Sequence, residues 1–396
     1  MLIKNISVLT GQDLDFVSST DIRIQNNKFK KIQSKIKPIP KEESLDCEGL
    51  LMIPGFINAH THIGDSVGKD ISLNNTVDEK IHPVFGAKSK ILKNTSNEIL
   101  GNFMKNTCHS MLRKGITTFV DFREGGLDGV ILLKKILNDV PLRSIILGRM
   151  EFYQNAVEIK KNSSFPSIRT AELRALLKKC DGIGVSGANE NSNSVLNYYS
   201  KTSKIRAIHS AETKQSTDQS KKVTGQSETT RALILKPDFL VHMTYASKSD
   251  LQMASKKTRG IVICPRANSS LAEGIPDIVL MQKSGCTLAL GTDNVMINSP
   301  DMFREMDFVW KVTMGLHKKR IDAKEILKMA TVNGGKILNK NIGSIEPGRI
   351  ADCLFLDKHA LDLEPMHDPY ASIVHRASES AIKAVMIGGK IVHGKT

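Results

Sequence analysis

Eight short apolar runs of strand length, spaced by stretches of helical periodicity, constrain this chain more than any other feature. They are Leu51-Met-Ile-Pro-Gly-Phe-Ile-Asn-Ala before His60, Ile116-Thr-Thr-Phe-Val120, Leu142-Arg-Ser-Ile-Ile-Leu147, Gly182-Ile-Gly-Val-Ser186, Lys204-Ile-Arg-Ala-Ile before His209, Phe239-Leu-Val before His242, Gly260-Ile-Val-Ile-Cys264, and Thr287-Leu-Ala-Leu-Gly-Thr before Asp293. Amphipathic segments intervene, among them Ile99 to Arg113, Val130 to Leu137 and Thr170 to Lys179. Parallel strands need crossover connections, usually helices, and eight strands alternating with helices close into a barrel. The predicted fold is α/β, a (β/α)8 TIM-like barrel.

The two ends carry a different pattern. Asp21-Ile-Arg-Ile-Gln25 and Phe29-Lys-Lys-Ile32 near the start, and Ala351 to Leu356, Ile382 to Ile387 and Lys390 to His393 near the finish, are short alternating strands with one wet face. They predict a small β-sandwich domain assembled from both termini, residues 1–52 and 345–396, flanking a barrel over 53–344. With 396 residues, the chain has room for a barrel of about 250 residues and a smaller unit.

Polar residues stand where the apolar runs stop. His60 and His62, two apart on a strand, point to one face and read as half of a metal site. His209, followed by Ser-Ala-Glu212, then His242 and Asp293, end three further runs. In a parallel barrel the C-terminal strand ends converge on one mouth, which brings these distant residues together. Imidazole and carboxylate donors without thiolate suit Zn2+ or Fe2+.

Composition narrows the class. The six cysteines are dispersed with no Cys-x-x-Cys pair, as expected of buried thiols in a reducing compartment. No apolar stretch approaches the ~20 residues of a membrane span, and the first residues read as a strand and not a signal peptide. The expectation is a soluble, cytoplasmic protein with no membrane partner. The net charge of +15 comes from scattered lysine pairs, and aromatic residues make up only 5% of the chain. A nucleic-acid surface combines a basic stripe with stacking aromatics, so the expected partner is a small-molecule substrate and not nucleic acid.

Taken together, Pro54-Gly-Phe-Ile-Asn-Ala-His-Thr-His62, His209-Ser-Ala-Glu212, His242, Cys264-Pro-Arg-Ala-Asn268, Gly291-Thr-Asp293 and Gly343-Ser-Ile-Glu-Pro-Gly-Arg-Ile-Ala-Asp352 give the chain a specific likeness. It resembles, over almost its whole length, the amidohydrolase superfamily and its metal-dependent deaminase branch of cytosine deaminases, S-adenosylhomocysteine deaminases and chlorohydrolases. The resemblance implies one divalent metal ion, Zn2+ or Fe2+, held by His60, His62, His209 and Asp293. Members with two metals bridge them through a carboxylated lysine at the end of the fourth strand, where this chain offers Gly182-Ile-Gly-Val-Ser-Gly187 and no lysine.

Catalytic roles follow from the same resemblance. The metal lowers the pKa of bound water from ~15.7 toward ~7, so that hydroxide attacks. Glu212 shuttles its proton, His242 polarises the water and steadies the tetrahedral intermediate, and Asp293 accepts a further proton besides ligating. The substrate contacts expected are Arg123, Asn189, Arg266 and Asn268 at strand ends, and His82 in the long segment after the first strand. The remaining histidines, His109, His317, His359, His367, His375 and His393, are expected in surface or structural roles.

The implied reaction deaminates an exocyclic amino group of a nitrogen heterocycle: a nucleobase, nucleoside or pterin-like compound. The alternative is hydrolysis of a cyclic amide or related C–N bond, since imidazolonepropionases share the His-x-x-Glu pattern. Ile63 to Asp70 lacks the tryptophan and arginine of the S-adenosylhomocysteine deaminases, and the one tryptophan, Trp310, lies far along the chain. Adenosine-type specificity is therefore not carried over. Relatives of this kind assemble as dimers or tetramers, so the resemblance also allows a homo-oligomer.

Overall fold

The computed structural model describes residues 1–71 and 74–396. The apolar runs become parallel strands: β1 (Phe56–His62), β2 (Ile116–Arg123), β3 (Arg143–Gly148), β4 (Gly182–Val185), β5 (Ile205–Ser210), β6 (Phe239–His242), β7 (Ile261–Ile263) and β8 (Leu288–Leu290). They are hydrogen-bonded in sequence order, each to the next. Leaving β8, the chain passes through Gly291 and Thr292 to Asp293–Asn294, which pairs in parallel with Thr61 and His62 of β1. The sheet thus curls until its last edge meets its first.

Gly291 is what permits that meeting. A Cβ there would stand 2.7 Å from the His60 Cβ and 3.0 Å from its backbone, so any larger residue would push the closing segment off β1.

Two layers of apolar contacts hold the sheet, as the period of two along each strand requires. Val120, Phe122, Ile145, Leu147, Ala207, Phe239, Val241 and Val262 form one buried cluster. The alternate residues Phe119, Ile146, Ile208, Leu240 and Ile261 pack in another with Met104, Cys108, Val130, Leu133, Leu173 and Leu176 of the helices Asn97–Arg113, Gly126–Leu137 and Thr170–Lys179. These three helices lie where the amphipathic segments predicted them.

The first apolar run divides at Gly55. Residues Leu50–Pro54 join a second sheet, pairing antiparallel with Cys353–Asp357, while Phe56 starts β1. A Cβ on Gly55 would lie 2.3 Å from the Thr117 Oγ1, so the chain can change sheets there only with glycine. The second sheet also contains Leu2–Thr10, Asp15–Gln25, Lys28–Gln33, Ser44–Asp46, Ile382–Ile387 and Lys390–Gly394. Among the described residues, no helix is long and apolar enough to cross a membrane. All six cysteines are buried and unpaired.

Candidate metal centre

At the C-terminal ends of the strands, β1 supplies His60 and His62, β5 supplies His209, β6 supplies His242, and the closing segment supplies Asp293. Donor atoms of His60, His62 and His209 lie within 4.8 Å of one another, and so do those of His60, His242 and Asp293. The Nε2 atoms of His62 and His209 face each other at 3.3 Å, and Asp293 Oδ1 stands 3.2 Å from His60 Nε2 and 3.5 Å from His62 Nε2. Two nitrogens held about 2.0–2.1 Å from one tetrahedral ion stand about 3.3–3.4 Å apart. These separations are those of ligands around a shared cation.

The other ring nitrogens of His62 and His209 are already engaged, whereas His60 Nδ1 is buried without a partner among the described residues. His209 Nδ1 meets the Val185 carbonyl of β4 at 3.0 Å, and His62 Nδ1 meets Glu124 Oε1 at 2.7 Å and the Phe122 carbonyl at 3.2 Å. Protons held there leave the Nε2 lone pairs for the centre. Beneath the rings, Phe122 forms an apolar floor, 4.5 Å from His60 and 4.9 Å from His209 between ring centroids. Burial pushes the pKa of His60 down to about 3 and lowers those of His62 and His209, so the imidazoles are neutral and able to ligate. Asp293 Oδ2, His242 Nε2 and Glu212 Oε1 are buried with no hydrogen-bond partner among the described residues. The donor set fits a divalent metal ion.

The backbone is strained where these groups emerge. Ala211 (φ 49°), His242 (φ 71°), Met243 (φ 58°) and Asp293 (φ 60°) occupy the left-handed region that non-glycine residues visit sparingly. Glu228 holds one of these turns, accepting from the Ala211 N–H at 3.1 Å and the Ser216 hydroxyl at 2.7 Å. The next residue is Glu212, whose Oε1 stands 3.6 Å from His242 Nε2.

Burial raises both carboxyls of the centre, but with different outcomes. Glu212 is pushed up to about 7, helped by the charge of Asp293 and opposed by His242. For Asp293, the hydrogen bond with His60 and the surrounding imidazoles of His60, His242 and His62 overrule burial and hold it well below the ordinary carboxylate range. Such a divergent pair separates the anion that stays ionised from the one that exchanges a proton near neutrality.

A cavity of about 120 Å³ opens above these groups, lined also by Lys88, Arg149, Asn189, Glu190, Glu228 and Asn294. It adjoins an outer vestibule of about 410 Å³, with Asp78, His82, Asn189, Glu190, Thr213 and Ser216 on both.

A profile of the amidohydrolase family matches residues 51–392. The chain belongs to that family. A protein of Methanothermobacter thermautotrophicus, provisionally named an aminohydrolase, is 34% identical over 396 residues, 99% of each chain. A 5-methylthioadenosine/S-adenosylhomocysteine deaminase of Thermococcus sibiricus is 29% identical over 99% of this chain and 93% of its own. Among solved structures, an adenosine deaminase from Xanthomonas campestris with bound zinc superposes with a TM-score of 0.81 at 21% identity, covering 98% of this chain and 92% of that one. The amidohydrolase barrel is thus matched end to end.

The expected substrate contacts part company in this amidohydrolase. Asn189 and His82 line both cavities, with Asn189 Nδ2 donating to the Ser216 carbonyl at 2.8 Å and His82 stacked on Phe85 at 3.8 Å. Asn268 lies behind His242, its Oδ1 3.2 Å from His242 Nδ1. Arg123 and Arg266, also expected to contact substrate, do not line either cavity. Arg123 donates to Glu124 Oε2 at 3.1 Å and the Glu124 carbonyl at 3.0 Å, and its Nη1 lies 3.6 Å from Asp121. Arg266 donates to the Ser299 carbonyl at 3.2 Å and to Glu305 at 3.3 Å. A strand-end arginine surrounded by buried carboxylates satisfies its donors locally.

The Arg266 partner gives a stability prediction. Burial pushes Glu305 up to about 8 against the opposing charge of Arg266. A carboxyl raised on folding favours the native state fully below its unfolded pKa, and that contribution is lost as pH climbs through the folded value. The Tm of the wild type should fall between about pH 5 and about pH 9 by more than that of Glu305→Gln, measured by calorimetry.

Sequence reasoning missed Arg149, Lys88, Glu190 and Glu228. Arg149 follows the β3 run by two residues, so the rule that found His209 and His242 would have found it. It is buried, and its guanidinium makes no side-chain hydrogen bond among the described residues. Its nearest charge partner is Glu124 at 3.5 Å, and it lies over the Tyr153 ring at 6.0 Å.

Proposed function

We propose that this amidohydrolase replaces an exocyclic amino group of a nitrogen heterocycle, on a nucleobase, nucleoside or pterin-like compound, with oxygen and releases ammonia. One observation carries the reading: Glu212 Oε1 and His242 Nε2, buried and otherwise unpartnered, face each other at 3.6 Å beside the converged donors. The ligands proposed are His60, His62, His209 and Asp293, around one ion per chain. Zinc is preferred over iron because the superposed adenosine deaminase holds zinc. When bound, the cation supplies an activated water and offsets the charge that develops during attack.

The chain's own residues handle the protons. His242, its Nδ1 donating to Asn268, turns Nε2 toward the attacking water and accepts its hydrogen bond. Glu212 takes the water proton and delivers it to a ring nitrogen of the substrate, which makes the adjacent carbon electrophilic. Asp293, held ionised, then accepts the hydroxyl proton of the tetrahedral adduct. That proton passes to the amino group, the C–N bond breaks, ammonia departs, and the carbonyl remains.

The paired cavities support a substrate in two parts. The ring occupies the inner chamber, where Arg149 offers free donors to an acceptor on it, and a substituent extends past Asn189 and His82 into the vestibule. The same reading keeps a β-sandwich from both termini, 1–52 with 345–396, around a 53–344 barrel, with the first boundary carried to Gly55, where the chain changes sheets. It also keeps a cytoplasmic location, supported by the six unpaired thiols.

The test is product analysis on zinc-loaded protein with a panel of aminopurines, aminopyrimidines, aminopterins and their nucleosides. A product with oxygen in place of an amino group, and ammonia in equal amount, is expected. A product that has gained water without releasing ammonia would replace deamination with ring-amide hydrolysis.

A further inference from the structure

Lys88 is a buried cation of the chamber wall that the catalytic reading leaves unused. It lies on the helix Ala87–Asn94, in the segment that follows β1, and it is 5% exposed. Its ammonium makes two short contacts, 2.6 Å to Glu124 Oε1 and 2.6 Å to Asn294 Oδ1, and a longer one of 3.4 Å to Asp65. Each short partner continues to a different member of the metal centre. Glu124 Oε1 stands 2.7 Å from His62 Nδ1, and Asn294 Nδ2 donates to Asp293 Oδ1 at 3.0 Å.

A lysine ammonium only donates, and that decides what lies beyond it. Asn294 must turn its carbonyl oxygen to Lys88, so its NH2 must face Asp293, and the amide cannot flip without losing both bonds. Asn294 Nδ2 then fixes Asp293 Oδ1 and with it the way the carboxylate faces the centre, Oδ2 being unpartnered among the described residues. Glu124 must stay anionic to accept from Lys88 and His62 together. That fixes the His62 proton on Nδ1 and its lone pair on Nε2. Arg123, 3.1 Å away on the other carboxylate oxygen, holds Glu124 in place.

We propose that Lys88 is a positioning residue, a donor-only clamp that fixes His62 through Glu124 and Asp293 through Asn294 and so sets how tightly the centre keeps its metal. The proposal rests on the reading of these residues as a divalent-metal site. It ties ligands from opposite edges of the closing seam to the segment over the mouth. Losing an outer partner of a metal ligand costs about 10–100-fold in metal affinity or activity.

The experiment measures zinc release from loaded protein to an excess of chelator, and the rise in Tm that zinc confers on metal-stripped protein. Lys88→Met is expected to release zinc about 10–100-fold faster and to show a smaller zinc-dependent rise in Tm, with Lys88→Arg recovering part of both. A merely structural lysine would lower the Tm of stripped and loaded protein equally and leave the release rate alone. Glu124→Gln and Asn294→Ala each cut one arm, so they carry the test if Lys88→Met does not fold. Each should release zinc faster than wild type. Wild-type release rates in these variants would overturn the clamp while the metal reading stands. Wild-type protein that takes up no zinc would overturn both.

Discussion

Glu212→Gln is expected to lower kcat by about 10²–10⁴-fold while the protein keeps its full complement of zinc. The amide matches the carboxylate in shape, so the strained turn after Ala211 and its support by Glu228 survive, but it can neither take a proton from water nor return one. Because burial pushes Glu212 up to about 7, the wild-type rate should also have an acid limb. The working form is the carboxylate, so activity falls as pH drops through its pKa, and a cation nearby can only move that limb lower. The residual rate of Glu212→Gln should lack the limb. Kinetics across pH, with metal content measured on the same samples, reads both outcomes. A variant that loses zinc along with activity would assign Glu212 to metal retention and remove it from proton transfer.

Asp293→Ala should fail in a different way. It removes the one anionic donor of the centre and empties a position where burial has been overruled by three histidines. Zinc affinity should fall by more than the about 10–100-fold expected for losing an outer partner, and activity should fall with it. The diagnostic is rescue. Excess zinc should restore part of the activity of Asp293→Ala and none of that of Glu212→Gln. Retained zinc in Asp293→Ala, measured by elemental analysis after gel filtration, would exclude the aspartate as a ligand.

How much of this was legible in the chain depends on what each residue needs from its surroundings. Strand ends are visible because an apolar run stops abruptly at a polar residue, which is why His60, His62, His209, His242 and Asp293 could be read in advance. The same signal marked Arg123 and Arg266, which lie outside both cavities. A run's end says that a side chain emerges there, but not whether neighbours such as Glu124 or Glu305 have already claimed it.

Lys88 carried no signal at all. It stands between Ala87 and Ser89 in a lysine-rich helix, and only tertiary packing separates it from the surface lysines nearby. Total charge is no better a guide to the pocket. The chain is strongly basic, yet the vestibule is lined by Asp78, Glu158 and Glu190 and, among the described residues, by no lysine or arginine. A total charge is a property of the whole surface, whereas a pocket is set by about a dozen side chains.

The first strand shows the limit for the fold. Pro54-Gly55 is the local mark of a break, but with apolar residues on both sides it does not say that Leu50–Pro54 and Phe56–His62 serve different sheets. The cause is steric and distant: Thr117 of the neighbouring strand leaves no room for a side chain at Gly55.

The most direct test of metal-dependent deamination is ammonia release from one active aminoheterocycle, measured on protein stripped of metal and then reloaded with zinc. Stripped protein should release none, and reloading should restore release in step with the zinc bound, reaching its maximum at one ion per chain and matching substrate consumed. Ammonia release that persists in fully stripped protein, or substrate consumed by reloaded protein without ammonia, would contradict the account.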